Sequence, residues 1–269
     1  MPHHRFFAPG PWPPIGGEIA VGGDEARHAA VKRLRAGEHA ELLDGAGNIA
    51  RGTIVAPPAK AGRPLILRID AVHATPRPPL ELELWTSTPQ GDNPAVMIDM
   101  LSQLGASVWR PLRADRTVVD PRDAKLERLA RVAAESAKQC GRAWFMAIRD
   151  ALTTDAAVAA VPPTDHETRL AVCDAGGLAL EPGSIAGAGA LHALLGAPRL
   201  IVLIGPEGDW SPRERDLFAR RGLPFLSLGA HILRIQTAAL AAAALLMAAR
   251  AARGKTPPAP PVWPHPSVR

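Results

Sequence analysis

Near Leu80 the spacing of apolar positions changes character. Before it, short apolar stretches alternate with turn residues. Ala40-Glu-Leu-Leu-Asp-Gly45, Asn48-Ile-Ala-Arg-Gly-Thr-Ile-Val55 and Leu65-Ile-Leu-Arg-Ile-Asp70 each read as a strand. Asp44-Gly45 is a hairpin signal. One helix, about Asp24 to Arg35, interrupts the strands, and together they predict a small β-barrel-like domain over residues 1–75. Thr75-Pro-Arg-Pro-Pro79 has the composition of a linker.

From Leu80 the pattern becomes strands alternating with helices, which predicts an α/β domain with a mostly parallel sheet over residues 76–252. Strands are expected near 80–87, 107–112, 144–148, 169–174, 199–204 and 224–228. Helices are expected near 93–105, 121–140, 211–222 and 235–252, with a weaker one in the Ala-rich stretch after Asp150. Residues 253–269 are Pro-rich and are expected to be a disordered tail.

A chain of 269 residues can bury two independent cores. Its longest apolar run, Ala238–Ala249, falls short of the roughly 20 residues that a membrane span needs. Met1-Pro-His-His-Arg5 has no apolar stretch of the signal-peptide kind, and the reading is of a soluble cytoplasmic protein with no membrane partner. Cys140 and Cys173 have no Cys or His at metal-ligand spacing, so no metal is expected. The net charge of +5 is carried mostly by arginine, which suits phosphate contacts, although a genome with a biased composition gives the same excess.

The chemistry concentrates in two segments. Arg199-Leu-Ile-Val-Leu-Ile204 is a continuous apolar run of the kind found in strands covered on both faces, and it stops at Gly205-Pro-Glu-Gly-Asp-Trp210. A sharp loop at the carboxyl end of a strand is where open α/β sheets bind ligands. A side chain at Gly205 is expected either to obstruct a ligand or to forbid the turn. Ser211-Pro-Arg-Glu214 then forms a capping box with Pro in the first helical position. The loop lacks the Lys and Ser/Thr of a nucleotide P-loop and the spacing of a dinucleotide fingerprint, though a plain tight connection fits it too. Further on, Pro224-Phe-Leu-Ser-Leu228 leads into Gly229–Thr237 and a helix of almost pure Ala and Leu, whose all-round apolar surface needs cover from the core or from a second subunit. Arg234 stands just before that helix, where its charge opposes the helix dipole and points to a ligand, unless it turns to solvent.

Ile204-Gly-Pro-Glu-Gly208 and, after a capped helix, Ser227-Leu-Gly-x-x-Ile-Leu-Arg-x-x-Thr-Ala-Ala239 together resemble the signature of the uridine-N3 methyltransferases of small-subunit (16S) ribosomal RNA, in the SPOUT superfamily. Upstream, Arg5-Phe-Phe7, Asp24-Glu-Ala-Arg-His28 with Lys32-Arg-Leu-Arg35, and Leu43-Asp-Gly-x-Gly47 are similar to that family's PUA-like amino-terminal domain. Leu104-Gly105, Arg116 and Gln139-Cys-Gly-Arg142 are similar to its central segments.

The resemblance implies a PUA-like barrel followed by a trefoil-knotted SPOUT α/β domain, a homodimer packed through the last helix, and S-adenosylmethionine as cofactor. It implies cofactor contacts from Leu203, Ile204, Gly205, Pro206, Glu207, Gly208, Leu228, Gly229, Ile232, Leu233 and Thr237. Arg234 would stabilise charge on the uracil, and Glu207 is a second catalytic candidate, unless it only fixes its own loop. Arg5, Arg33, Arg35, Arg116 and Arg142 would hold RNA of the small ribosomal subunit, and Phe6 or Phe7 could stack on a base. The chain departs from the family at Met100, Gln103, Lys138, Asp209, Ile235 and Gln236, several of which replace a Glu. Those departures motivate two alternatives: a ribosome-assembly factor that binds RNA without chemistry, and a SPOUT enzyme with another RNA target.

Overall fold

The computed structural model describes residues 4–58, 63–90, 93–119, 123–179 and 185–253. The chain divides into two compact units, one running up to Arg77 and including Ala137–Phe145, the other comprising Pro78–Ser136 and, among the described residues, 146–253. The tail beyond Arg253, expected to be disordered, lies outside the described residues.

In the first unit a five-stranded sheet has the order β1-β3-β4-β5-β2, with β1 at His4–Phe7, β2 at Glu18–Val21, β3 at His39–Leu43, β4 at Asn48–Ala56 and β5 at Leu65–Ala74. Strands β3, β4 and β5 form an antiparallel meander, and β1 joins β3 in parallel. The Asp44–Asn48 turn is tied by the Asp44 carboxylate, whose Oδ1 accepts from Ala46 N at 2.7 Å and Asn48 N at 2.9 Å. Helix α1, Gly23–Val31, places Ala26 and Ala29 inward, with Ala29 joining Phe6, Leu42, Ile54, Leu65 and Leu67 in one core. Strands β1 and β2 were not expected: His4-Arg-Phe-Phe and Glu18-Ile-Ala-Val are too short to show a period of their own and are fixed by pairing with β3 and β5.

The second unit is a parallel sheet in the order β12-β10-β11-β6-β7-β8, with β9 also pairing with β7. Its strands are β6 Glu81–Thr86, β7 Val108–Arg113, β8 Ala147–Ile148, β9 Leu152–Thr153, β10 Thr168–Ala179, β11 Arg199–Ile204 and β12 Phe225–Ser227. The helices are α2 Asn93–Gln103, α3 Asp123–Cys140, α4 Thr154–Ala159, α5 Ile185–Gly196, α6 Pro212–Arg221 and α7 Ile235–Ala251. The last turn of α3 is grouped with the first unit. The strand expected at 144–148 is only β8, and α5 was not anticipated, because Gly187 and Gly189 interrupt its alanines and no apolar stripe marks a face.

Period-two alternation explains the apolar run of β11. Leu200, Val202 and Ile204 enter the core made with α2, α3 and α7, while Ile201 and Leu203 enter the core containing Trp210 and Phe218. Helix α7 is not buried all round: Ile235, Ala238, Ala239, Ala242, Ala243 and Leu246 form its covered stripe, and Thr237, Ala244 and Ala248 face outward. Among the described residues no helix is long and apolar enough to cross a membrane.

Candidate active site

Strands β10, β11 and β12 are neighbours, so the Cys173–Ala175 stretch of β10, at the start of its register shift, meets the segments that follow β11 and β12. The loop after β11 is tethered at several points. Ser211 caps α6 and the Glu214 carboxylate returns to Ser211 N at 2.9 Å. Fully buried Glu214 also accepts from Asp115 N at 3.1 Å and Thr154 Oγ1 at 2.6 Å. Arg213 bridges Asp115 and Asp155, at 2.7 and 2.9 Å. The hydrogen bonds from Arg213 and Ser211 hold the Asp115 carboxyl below the usual range. Arg116, which follows Asp115, donates from Nη1 to the Gly208 carbonyl at 2.7 Å.

Asp209 adopts φ 65°, a left-handed conformation that Asp tolerates better than most residues. Arg215 Nη2 reaches both of its carboxylate oxygens, at 2.9 and 2.8 Å, and Arg215 Nη1 stands 2.5 Å from Asp174 Oδ2. Partial burial pushes the Asp209 carboxyl up, but the hydrogen bonds from Arg215 and from Trp210 N outweigh it and leave the group below its ordinary value. The Trp210 indole donates to the Cys173 carbonyl at 3.0 Å and lies against Gly205. Gly205 is not in the left-handed region: a Cβ there would meet the indole at 2.9 Å, so it is the packing of Trp210, and not the turn, that requires glycine. Burial, reinforced by the Asp174 charge, pushes the Cys173 thiol up to about 12 and keeps it neutral.

These segments enclose a cavity of about 200 Å³. Of the expected cofactor contacts, Ile204, Gly205, Pro206, Glu207, Leu228, Gly229, Ile232 and Leu233 line it. Leu203 does not, being fully buried in the core beneath, and neither does Gly208 nor Thr237, which is exposed on the first turn of α7. The sequence reading missed Cys173, Asp174, Ala175, Asp209, Trp210, Arg215, Leu226, His231 and Ala238. A signal existed: Leu170-Ala-Val-Cys173 stops at Asp174-Ala-Gly-Gly177, the same apolar-to-glycine transition that marks the end of β11. Arg234 is the exposed N-cap of α7, its side chain makes no capping hydrogen bond, and it is not among the lining residues.

The arginines expected to hold RNA divide into two kinds. Arg33 and Arg35 are exposed on the turn after α1, Arg33 at φ 53°. Arg5 is committed inside the first unit: its Nε pairs with Glu41 Oε2 at 2.8 Å and its Nη1 donates to the carbonyls of Lys138 and Gln139. Arg116 holds the Gly208 carbonyl, and Arg142 is half-buried, its guanidinium lowered to about 10 by desolvation. Phe6 is fully buried and Phe7 packs on Phe145, ring centroids 5.6 Å apart. Lys138, one of the departures from the family pattern, pairs with Glu25 of α1 at 2.5 Å.

Residues 76–247 match the family model of the RNA methyltransferase domain, and residues 21–61 match that of the RNA methyltransferase PUA domain. The chain belongs to this RNA methyltransferase family. Among its relatives, ribosomal RNA small subunit methyltransferase E of Synechocystis sp. is 31% identical over 219 residues, 81% of this chain and 68% of that protein. The protein of the same name from Mycobacterium bovis is 29% identical over 246 residues, 86% of each chain. The crystal structure of a ribosomal RNA small subunit methyltransferase E from Neisseria gonorrhoeae bound to S-adenosyl methionine superposes with a TM-score of 0.78, at 24% identity, over 92% of this chain and 98% of that one. The chain therefore has the expected order of a PUA β domain followed by an α/β methyltransferase domain with a parallel sheet.

Proposed function

We propose that this RNA methyltransferase transfers a methyl group from S-adenosylmethionine to N3 of a uridine in 16S ribosomal RNA of the small ribosomal subunit, in the cytoplasm. The observation that carries the reading is the cavity between Cys173–Ala175 of β10 and the carboxyl ends of β11 and β12, walled by Gly205–Glu207 and Leu228–Leu233, in a chain of this family. Its wall suits a nucleoside: Ile204, Leu226, Leu228, Ile232 and Leu233 offer apolar contact, and the flanking loop backbone offers donors and acceptors.

The cofactor supplies an electrophilic methyl group when bound, so the protein's task is alignment and charge. Uridine N3 is a weakly acidic imide, and it attacks once its proton is lost and negative charge spreads to the ring carbonyls. Arg234, exposed at the start of α7 with no capping bond to hold its guanidinium, stabilises that charge. Glu207, exposed on the rim of the cavity, is the remaining candidate for taking the proton. Arg33 and Arg35 present charge to phosphates, which positions RNA without reading its sequence.

A second copy of the chain covers the outer side of α7. Val96 and Met100 on α2, which packs on α7, are exposed, as are Ala244 and Ala248 on α7, and these are the apolar positions such a copy would cover. Mass spectrometry of ribosomal RNA from a deletion strain tests the proposed function. A single missing methyl on one small-subunit uridine, restored by the purified protein, is the expected outcome, and an unchanged modification pattern overturns it.

A further inference from the structure

Among the described residues, those lining the cavity carry three carboxylates, Asp174, Glu207 and Asp209, against one guanidinium, Arg215. The pair at the inner wall is fixed. Asp174, with only 9% of its side chain exposed, turns Oδ1 to Gly176 N at 2.8 Å and Oδ2 to Arg215 Nη1 at 2.5 Å. Arg215 is shared with Asp209, so its single positive charge is divided between two acids. The other polar groups of the wall do not redress the balance: Cys173 stays a neutral thiol, His231 is exposed on the outer loop, and nearby Arg116 is spent on the Gly208 carbonyl. A partly closed wall of this kind concentrates field that bulk solvent would screen.

We infer that the Asp174–Arg215–Asp209 wall makes the site select the charge state of its cofactor, favouring the sulfonium of S-adenosylmethionine over the neutral thioether left after transfer. The inference rests on the reading of the cavity as the cofactor site. In the reaction the S–CH3 bond breaks with its electron pair remaining on sulfur, the N3 electron pair forms the N3–CH3 bond, and the N3 proton passes by way of Glu207 to solvent. The bound adenosyl group therefore loses one positive charge while the wall keeps its negative excess. Product is held less tightly than substrate, and turnover is protected from product inhibition. Asp174 and Arg215 act with opposite sign: removing the acid weakens the preference and removing the base strengthens it.

Titration calorimetry on the full-length protein tests this with S-adenosylmethionine, S-adenosylhomocysteine and sinefungin, an analogue with an amine-bearing carbon in place of the sulfonium. The native protein is expected to bind the two cationic ligands more tightly than S-adenosylhomocysteine. Asp174→Asn should reduce the ratio of affinities for S-adenosylmethionine and S-adenosylhomocysteine by roughly tenfold, and Arg215→Met should raise it, sinefungin following S-adenosylmethionine throughout. A merely structural role for either residue would weaken all three ligands together, so ratios that stay constant, or that shift in the same direction in both variants, overturn the inference. If Asp174→Asn does not fold, the direction of change in Arg215→Met decides alone. Tight binding of all three ligands with no charge preference would overturn the inference and leave the cofactor reading standing, whereas no binding of S-adenosylmethionine to the native protein would overturn both.

Discussion

Gly205 lies against the indole of Trp210 so closely that a Cβ on the glycine would stand 2.9 Å from the ring. The indole also donates to the Cys173 carbonyl and meets Phe218 edge to face, ring centroids 4.9 Å apart, so it has little freedom to retreat. Gly205→Val is expected to displace Trp210 and with it the wall between Cys173 of β10 and the loop after β11. The overpacking should cost about 1–3 kcal/mol, leaving a folded protein. Cofactor affinity should fall by far more than that cost implies, and Gly205→Ala should be intermediate. Calorimetry alongside a thermal melt checks this; normal binding by Gly205→Val would show that the cavity is not the cofactor site.

What the sequence discloses here follows from how local each cause is. Strand β11 and helix α6 are legible because an apolar run, a glycine stop and a Ser211–Glu214 capping box all lie within a few residues. Strands β1 and β2 are not, since their existence depends on pairing with β3 and β5, far off in sequence. The same division runs through the site. The Gly205–Glu207 and Leu228–Leu233 walls sit in motifs, but Asp174 reaches Arg215 only because β10 and β11 are adjacent in the sheet. Glu214 was read as a cap, while its hydrogen bonds to Asp115 N and Thr154 Oγ1 needed the fold to appear.

Lys138 and Glu25 form an ion pair of 2.5 Å, with side chains 5% and 16% exposed. Lys138→Met should leave the Glu25 carboxylate partly buried without its partner and destabilise the first unit by about 3 kcal/mol. Lys138→Glu, which restores the acidic residue usual in the family, should be worse, because it sets two carboxylates together. Combining it with Glu25→Lys should recover part of the loss. Denaturant melts of the native protein, Lys138→Glu, Glu25→Lys and the double variant measure the coupling, and simple additivity would show that the pair contributes nothing to stability.

Exposed Arg33 and Arg35 should make RNA binding salt-dependent, while binding in the loop-walled cavity should depend little on salt. Replacing both with Ala should weaken unrelated RNA sequences alike and lower the salt slope by about 1–2 units. Arg5→Ala, by contrast, should act through stability, since its donors are engaged by Glu41 and by two carbonyls. Filter binding from low to high salt would expose a wrong assignment as identical slopes for RNA and cofactor.

The outer side of α7 should make the protein a dimer that survives high salt, because burial of Val96, Met100, Ala244 and Ala248 is not screened as ion pairs are. Met100→Glu places a charge on that surface and should yield monomers without unfolding. Sedimentation of the native protein at micromolar concentration as a monomer would remove the second copy from the proposal.

Arg234 decides whether the site performs chemistry or only binds. It is the N-cap of α7, in extended backbone at ψ 155°, and supplies no side-chain cap to that helix. A residue placed there for stability would be Ser, Thr, Asp or Asn, since a cation opposes the positive end of the helix dipole. Arg234→Ala should therefore cost the helix little and could even stabilise it slightly. If the guanidinium holds the developing charge on the uracil, the same change should slow methyl transfer by roughly 100-fold or more, the loss expected on removing one such donor. Cofactor affinity should barely change, because Arg234 is not among the residues lining the cavity. Arg234→Lys should recover only part of the rate, as a point charge cannot reproduce a planar two-pronged contact. Single-turnover rates on small-subunit particles separate the outcomes: a near-native rate for Arg234→Ala removes the residue from catalysis, and the absence of any transfer by the native protein favours an assembly factor that only binds RNA.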